Sequence, residues 1–157
     1  MNSSPLTRRA LLIGAATLIV PSLATSQQVF DGQTFRDAHC GCCLSWVEHV
    51  RASGRIRLTV TDAPDMAVIK QRLGVPLELA SCHTTSISGF VIEGHTPVAD
   101  IVRLLDERPR GVRGLAVPGM PMGSPGMDRA DGRREAYNVM AFGTEGAPRV
   151  FTRYAAI

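Results

Sequence analysis

The chain has 157 residues, 45% of them hydrophobic, and a formal net charge of +3, a size and composition that suit one compact domain with a real hydrophobic core. Aromatic residues make up only 5%, and no basic stripe with interleaved aromatics is present. These features exclude a nucleic-acid-binding protein.

The first 24 residues have the three-part layout of a secretory signal. The pair Arg8-Arg9 gives a cationic start, an apolar run extends from Ala10 to Val20, and small residues follow up to Ala24. We predict cleavage after Ala24, which leaves residues 25–157 as a single, nearly neutral domain in the periplasm. The apolar run is too short for an ordinary membrane span, so we expect no stable span after signal removal. The arginine pair resembles a twin-arginine signal, but ordinary signals also contain such pairs, and both export routes stay open.

The rest of the chain alternates between extended and helical patterns. Hydrophobic residues recur at helical spacing after the first cysteines and before Arg108, whereas residues 56–60 alternate with the period of a half-buried strand. The predicted elements, in order, are a strand over 30–38, a helix from Cys43 to Gly54, a strand over 56–60, a helix opened by Asp62 and Pro64 and ended by Gly74, a hairpin of Thr84–Ile87 and Phe90–Ile92 turning at Ser88-Gly89, and a helix from Thr96-Pro97 to Arg108.

This order, βαβαββα, predicts an α/β fold with a mixed sheet and is the order of a thioredoxin-like core. Gly111–Met127, rich in Gly, Pro and Met, is predicted to form an ordered loop or a partly mobile flap. Tyr137–Phe142 and Val150–Tyr154, joined by Gly143–Gly146, predict an added β-hairpin.

Four cysteines carry the chemistry of the sequence. Cys40, Cys42 and Cys43 converge at a predicted strand-to-helix junction, and only Cys82 lies elsewhere. Two structural disulfides would require a bridge inside this cluster, and such a short loop removes little entropy from the unfolded chain. Clustered thiolates instead suit a soft metal such as Cu(I). Cys40 and Cys43 also form a Cys-x-x-Cys pair at a helix N-terminus, as in thiol-disulfide oxidoreductases. Metal binding and redox exchange therefore both stay open, with a disulfide-stapled binding module as a third interpretation.

Several other side chains are candidates for the same site. Cys82 is expected at the start of the third strand, where it can face the cluster, and His83 beside it is either a borderline ligand or a structural histidine. His39 is equally open, whereas His95 is interpreted as a capping or surface residue and His49 as a solvated one. Methionine sulfur is also a soft ligand, so the methionines of the Gly/Pro loop, Met120, Met122 and Met127, are either ligands or packing residues. Glu93 and Asp100 are interpreted as ordinary acids without a catalytic role.

Five motifs together resemble one family. They are Cys40-Gly41-Cys42-Cys43 with Trp46, Gly74-Val75-Pro76, Ser81-Cys82-His83-Thr84, Ile92-Glu93-Gly94-His95, and the loop Gly114–Pro121 with Gly123–Met127. This set is similar to the CopG-like copper-resistance family of exported bacterial proteins, long catalogued as a domain of unknown function. The resemblance extends from about Thr34 to Tyr154.

The resemblance implies a thioredoxin-like core, Cu(I) held by Cys40, Cys42, Cys43 and Cys82, and a place in copper or silver resistance. It also favours Met120 as a residue that covers or joins the site. We therefore expect a periplasmic Cu(I)-binding protein of copper homeostasis whose metal ligands are Cys40, Cys42, Cys43, Cys82, Met120 and His83. The copper site is expected to be multinuclear, with silver or zinc as alternative ions and other periplasmic copper-handling proteins as partners. A thiol-disulfide or copper oxidoreductase is the alternative.

Overall fold

The computed structural model describes residues 27–143 and 146–157. The predicted signal, residues 1–24, lies outside the described residues, as do Thr144 and Glu145 in the last predicted turn. Among the helices of the described ranges, none is long and apolar enough to cross a membrane.

The described residues form one sheet of seven strands with three α-helices and a short 3-10 turn at Leu77–Leu79. The elements are β1 (Phe30–Arg36), α1 (Gly41–Ala52), β2 (Ile56–Asp62), α2 (Met66–Leu73), β3 (His83–Ile87), β4 (Phe90–Glu93), α3 (Val98–Glu107), β5 (Gly114–Ala116), β6 (Tyr137–Phe142) and β7 (Arg149–Tyr154). The predicted order of the first seven elements is confirmed, as is the final pair of strands.

The sheet has the strand order β2-β1-β3-β4-β5-β6-β7. Strands β1 and β2 are parallel, β3 is antiparallel to both β1 and β4, and β5 is parallel to β4. Strands β5, β6 and β7 continue antiparallel to one another. The chain is therefore a mixed α/β fold, as predicted.

Local sequence signals explain where several elements end. The Asp65 carboxylate caps α2 by accepting hydrogen bonds from the backbone N–H groups of Ala67 and Val68 at 2.8 and 3.2 Å. The helix is thus capped by Asp65, whereas the sequence predicted a start at Asp62. Gly74 ends α2 with a φ of 71°, in the left-handed region that glycine adopts without steric cost.

The two faces of the sheet are covered by different elements. Along β4, Phe90 and Ile92 join one apolar cluster, whereas Val91 between them joins another, because successive strand residues point to opposite faces. The larger cluster takes its helical members from α1 and α3, including Trp46. The smaller one contains Leu79 and packs against Leu73 at the end of α2. Helices α1 and α3 thus share one face, which positions the start of α1 over the sheet.

Strand β5 was not predicted, since its residues fall within the predicted Gly/Pro loop. Gly114 was interpreted as a loop residue, yet it sits in the sheet where a Cβ would lie 2.1 Å from the Val91 carbonyl oxygen. Glycine is required here because strands β4 and β5 approach each other closely. This contact between distant residues cannot be recognised from the local sequence. The loop proper therefore begins after Ala116.

Candidate metal centre

Three cysteines gather at the start of α1. Cys40 occupies the N-cap position with an extended backbone, φ −80° and ψ 97°, while Cys42 and Cys43 lie in the first turn. Cys43 is fully buried, and Cys42 is half-buried. The helix N-terminus directs unpaired backbone N–H groups and the positive end of the helix dipole toward these sulfurs, an environment that favours thiolates.

Arg36, the last residue of β1, holds the segment that leads to the cluster. Its Nη1 donates hydrogen bonds to the carbonyl oxygens of Asp37, Ala38 and Cys40 at 3.0 to 3.1 Å. Its Nη2 pairs with the Asp62 carboxylate at 2.9 Å, at the end of β2. The path from strand to helix is therefore fixed by one guanidinium group.

Cys40 and Cys43 are joined by a disulfide, with Cα atoms 5.5 Å apart, while Cys42 and Cys82 are free thiols. The loop-closure argument from sequence disfavoured a structural bridge inside the cluster, and the structure contains one. The helix explains the pairing, because residues three apart across its first turn lie on the same side. This pair is also the Cys-x-x-Cys pair that the oxidoreductase hypothesis singled out.

Cys82 reaches the cluster from the sheet. The antiparallel register pairs His83 with Arg36, so the residue before β3 lies beside the segment that leads into α1. The four sulfur atoms all lie within 4.8 Å of one another, with Cys40 Sγ and Cys42 Sγ 3.5 Å apart. The structure thus brings together all four predicted cysteines, and the cluster can hold a metal ion once the bridged pair is reduced.

A buried ion pair supports the segment that carries Cys82. The carboxylate of Glu93 is fully buried and accepts hydrogen bonds from the Ser81 backbone N–H at 2.6 Å and the Thr84 hydroxyl at 2.7 Å. The ammonium group of Lys70, on α2, pairs with the same carboxylate at 2.5 Å. Glu93 lies at the end of β4, as predicted, but it is not an ordinary exposed acid, since its buried carboxylate anchors the residues on either side of Cys82 and His83.

Burial determines the protonation of Cys82. Loss of solvent raises the pKa of its thiol to about 12, and the neighbouring Cys42 acts in the same direction. A metal ion would reverse this preference, because a coordinating thiol is deprotonated outright. Without metal, Cys82 therefore remains a thiol at neutral pH.

His95 is a component of the site that the sequence analysis missed. It is fully buried, and its Nε2 lies 3.1 Å from Cys82 Sγ. Its Nδ1 lies 2.8 Å from the carbonyl oxygen of Pro125, which can only accept, so Nδ1 carries the proton and Nε2 presents a lone pair to the sulfur. Burial lowers the pKa of His95, although the Pro125 carbonyl partly opposes this. The prediction of a capping or surface residue was wrong.

His83 is also buried beside the cluster. Its Nδ1 lies 3.2 Å from Cys82 Sγ, and its ring packs 4.4 Å from Trp46 and 5.1 Å from His95, measured between ring centroids. Burial lowers the pKa of His83 well below its usual value, with His95 and Lys70 acting in the same direction. Both buried imidazoles are therefore neutral, the form that binds metals.

The remaining histidines lie away from this arrangement. His39 is almost fully exposed, with its Nδ1 3.2 Å from the Asp37 carboxylate, and its backbone N–H also donates to that group. His49 is exposed on α1, as predicted. The geometry thus selects two of the four histidines as neighbours of Cys82.

The Gly/Pro/Met segment covers the site as an ordered loop. Gly126 lies against α1, where a Cβ would be only 2.5 Å from the Trp46 backbone nitrogen, and Pro125 beside it binds His95. At its other end, the Ser81 hydroxyl donates to the Gly119 carbonyl oxygen. The loop therefore contacts both sides of the cysteine cluster.

The methionines of this loop differ in exposure. Met120 is 51% exposed and follows Gly119, which contacts the residue before Cys82. Met122 and Met127 are half-buried. Met120 therefore lies in the covering loop as expected, and its role as a ligand stays a prediction.

No local sequence signal identifies His95 as a component of the site. It lies between Gly94, whose φ is 65°, and the helix start at Thr96-Pro97, a setting that suggested a surface turn. A Cβ on Gly94 would lie 2.4 Å from Ser81 Oγ, which shows that this turn packs against the Cys82 segment. Cys82 and His95 are thirteen residues apart in sequence, and the β3–β4 pairing brings them together.

One protein-family model matches the part of the chain that contains Cys82 and the buried histidines. Residues 79–127 match the family described as "Protein of unknown function, DUF411". This segment carries Cys82, both buried histidines and the covering loop. No curated protein matches the chain.

Two solved structures match most of the chain. One is titled "Copper resistance protein copG, Form 1", with 41% identity and a TM-score of 0.75, covering 82% of this chain and 99% of that one. The other is titled Form 2 of the same protein, with 42% identity and a TM-score of 0.75, covering 81% of this chain and 99% of that one. The seven-stranded mixed fold described above is thus shared with these structures.

Proposed function

The chain belongs to the CopG-like copper-resistance family, and on this premise we propose that it is a periplasmic Cu(I)-binding protein of copper homeostasis. One observation carries the proposal: the sulfur atoms of Cys40, Cys42, Cys43 and Cys82 all lie within 4.8 Å of one another. Thiolates are soft ligands that select Cu(I), and a thiolate can bridge two ions. Because each thiolate can bridge two ions, we propose a multinuclear cluster at these four sulfurs, with silver or zinc as competing ions.

Copper binding by all four cysteines requires that the Cys40–Cys43 bond be opened. A dithiol reductant supplies two electrons and two protons, so that it becomes a disulfide while Cys40 and Cys43 become thiols. Each thiol then releases its proton to solvent as the metal binds. The affinity should consequently fall as the pH is lowered.

The surroundings of the cluster support the other parts of the proposal. We infer a thioredoxin-like core from the order βαβαββα and from the pairing of β1 to β4, with β1 and β2 parallel and β3 antiparallel to its neighbours. His83 is a candidate ligand because its Nδ1 lies 3.2 Å from Cys82 Sγ. Met120 is a candidate because it belongs to the loop that contacts Ser81. The periplasmic location and the copper-handling partners rest on the predicted signal and on the family.

A second candidate function is supported by the disulfide itself. Cys40 and Cys43 are bonded across the first turn of α1, and Cys42 Sγ lies 3.5 Å from Cys40 Sγ, close enough for exchange. This geometry suits a thiol-disulfide oxidoreductase that acts on copper-handling partners. The third cysteine argues against it, since a thiol beside the reactive pair would promote scrambling, whereas a metal cluster gains a ligand.

The decisive experiment is an anaerobic titration of the purified, reduced protein with Cu(I) against a competing chelator, with copper counted per chain. We expect tight binding of more than one copper ion, and a large loss in the Cys42→Ser and Cys82→Ser variants. Unchanged binding in both variants would refute the copper site. Exchange activity with a model dithiol that survives Cys42→Ser but not Cys40→Ser would establish the oxidoreductase instead.

A further inference from the structure

Four exposed arginines lie together at the end of the sheet opposite the cysteine cluster. They are Arg108, Arg110, Arg113 and Arg149, and we call this surface the basic end. We infer that the basic end is a membrane-binding surface that takes the headgroups of anionic lipids. The inference concerns a different surface from the copper site, and it does not depend on copper binding.

Shared surface cavities place the four arginines beside one another. Arg110 and Arg149 line one cavity of about 340 Å³, and Arg113 lines a second cavity of about 500 Å³. Both cavities are also lined by the two residues between Arg110 and Arg113, so three arginines surround one short segment. The guanidinium of Arg108 lies 4.9 Å from the ring centroid of Phe90, which lines the second cavity.

The charges of the basic end are not neutralised by ion pairs in the described structure. Within residues 27–143 and 146–157, no carboxylate pairs with any of these four arginines, whereas six other arginines have such partners. Segments 107–113 and 143–149, which contain the basic end, carry four arginines and two glutamates, a net charge of +2. The surface therefore keeps a positive charge that is available to an anionic partner.

The ends of the neighbouring elements do not account for the whole cluster. A cation at the C-terminus of α3 is stabilised by the helix dipole, which explains Arg108. Arg113 and Arg149 instead adjoin strands β5 and β7, and strands contribute only small net dipoles. Lipid phosphate suits all four arginines, because a guanidinium donates paired hydrogen bonds to phosphate oxygens.

The chain enters the domain at this same end. The backbone N–H of Phe30, at the start of β1, donates to the Arg55 carbonyl oxygen at 2.9 Å, and Arg55 Nε donates to the Gln28 carbonyl oxygen at 3.0 Å. Arg55 also pairs with Asp106 at 3.3 Å, two residues before Arg108. The preceding segment contains the predicted export signal, whose apolar run enters the bilayer during export. The basic end is therefore the part of the domain nearest to the membrane at that stage.

The length of β1 separates the basic end from the cysteine cluster. Phe30 lies at the basic end, whereas Arg36 at the other end of the strand binds the Cys40 carbonyl oxygen. Six steps of about 3.3 Å place the two ends of β1 about 20 Å apart. When the basic end rests on a membrane, the cluster consequently faces the solution.

The test is flotation of the copper-free mature protein, residues 25–157, with two kinds of vesicle. One contains phosphatidylcholine alone, and the other contains equal parts of phosphatidylcholine and phosphatidylglycerol. We expect binding to the anionic vesicles only, weakened by added salt because exposed charges are screened. The triple variant Arg110→Gln/Arg113→Gln/Arg149→Gln should lower the partition coefficient at least about tenfold.

The matched control removes the same charge from exposed arginines outside the basic end. It is Arg72→Gln/Arg133→Gln/Arg153→Gln, and its partition coefficient should stay within about threefold of the wild type. Equal losses in the two triple variants would overturn the inference in favour of unspecific attraction by net charge. Wild-type protein that binds neither vesicle, or binds both equally, would also overturn it.

A single charge reversal keeps the inference testable if the triple variant does not fold, as judged by circular dichroism. Arg110→Glu changes one exposed loop residue and should lower the partition coefficient at least about tenfold. An unchanged partition coefficient in a folded Arg110→Glu protein would refute the surface. Copper loading of the wild type should leave vesicle binding unchanged, and release of the loaded protein from the vesicles would contradict the inferred orientation. A wild type that binds anionic vesicles but no copper would refute the proposed function alone.

Discussion

The Glu93 carboxylate accepts a hydrogen bond from the backbone N–H of Ser81 at 2.6 Å and thereby fixes the residue that precedes Cys82. Glu93 is fully buried, and its cationic partner Lys70 is only 14% exposed. The cysteine cluster is therefore connected to α2 and β4 through one buried carboxylate.

Replacing this carboxylate should be strongly destabilising. In Glu93→Gln the Lys70 ammonium group loses its only described anionic partner while remaining largely buried, which costs about 3 kcal/mol of unfolding free energy. Urea denaturation measures the effect, with exposed Glu48→Gln on α1 as the control, expected within about 0.5 kcal/mol of wild type. Adding Lys70→Met should recover part of the loss, and strictly additive effects of the two changes would contradict the pairing.

The covering loop should depend on a glycine at its contact with α1. In Gly126→Ala the new Cβ would lie 2.5 Å from the Trp46 backbone nitrogen, at a φ of 80° that already disfavours alanine. We expect the loop to move away from α1 and to uncover the cysteine cluster, so that copper affinity falls. Gly132→Ala is the control, because φ is similar at 69° but nothing lies within 4 Å, so backbone strain of about 1 kcal/mol is its only cost.

Trp46 provides a direct readout of this loop. It is the only tryptophan in the chain, and its backbone forms the contact, so its fluorescence should change in Gly126→Ala and not in Gly132→Ala. Identical spectra and identical stability losses in the two variants would show that the loop does not require close contact with α1.

The Cys82 thiol should become reactive toward alkylating agents only at a higher pH than an ordinary cysteine. Burial raises the pKa of its thiol to about 12 from an ordinary value of 9.0, so alkylation of the metal-free protein should remain slow at pH 9 and increase toward pH 12. In Cys42→Ala the midpoint should drop but stay above 9.0, because burial is the larger cause. Peptide mass spectrometry after timed alkylation measures both, with urea-unfolded protein as the reference.

The raised pKa of Cys82 should also make the free energy of unfolding depend on pH. Between pH 9 and about 12 the unfolded chain loses the Cys82 proton while the folded chain keeps it, so the free energy of unfolding contributed by this thiol falls as the pH rises. Below pH 9 the thiol is protonated in both states and makes no pH-dependent contribution. A Cys82 alkylation midpoint near 9 in the folded protein would contradict both statements.

Opening the disulfide should control copper capacity. With Cys40 and Cys43 bonded, only Cys42 and Cys82 remain as free thiols in the cluster, so the oxidised protein should bind fewer copper ions than the reduced protein. Metal counting after anaerobic desalting measures the difference. A Cys40→Ser/Cys43→Ser variant should match the oxidised wild type under both conditions, and equal copper content before and after reduction of the wild type would refute this dependence.

Local patterns were sufficient for much of the fold. Hydrophobic periodicity and the Gly and Pro signals located the elements from β1 to α3, because helices and hairpins are determined by contacts between residues close in sequence. Gly114 shows where this fails, since its reason for being glycine is the Val91 carbonyl on a neighbouring strand. Strand β5 therefore could not be distinguished from the loop.

The sequence by itself determined the chemistry of the site: clustered cysteines at a strand-to-helix junction, one distant cysteine, and a Gly/Pro/Met loop. The tertiary structure decided which groups meet. It buried Glu93 against Lys70 and brought His95 to within 3.1 Å of Cys82. These contacts depend on strand register and on loop packing, and neither the residue types nor their spacing specify how the lone pair of a distant imidazole will be directed.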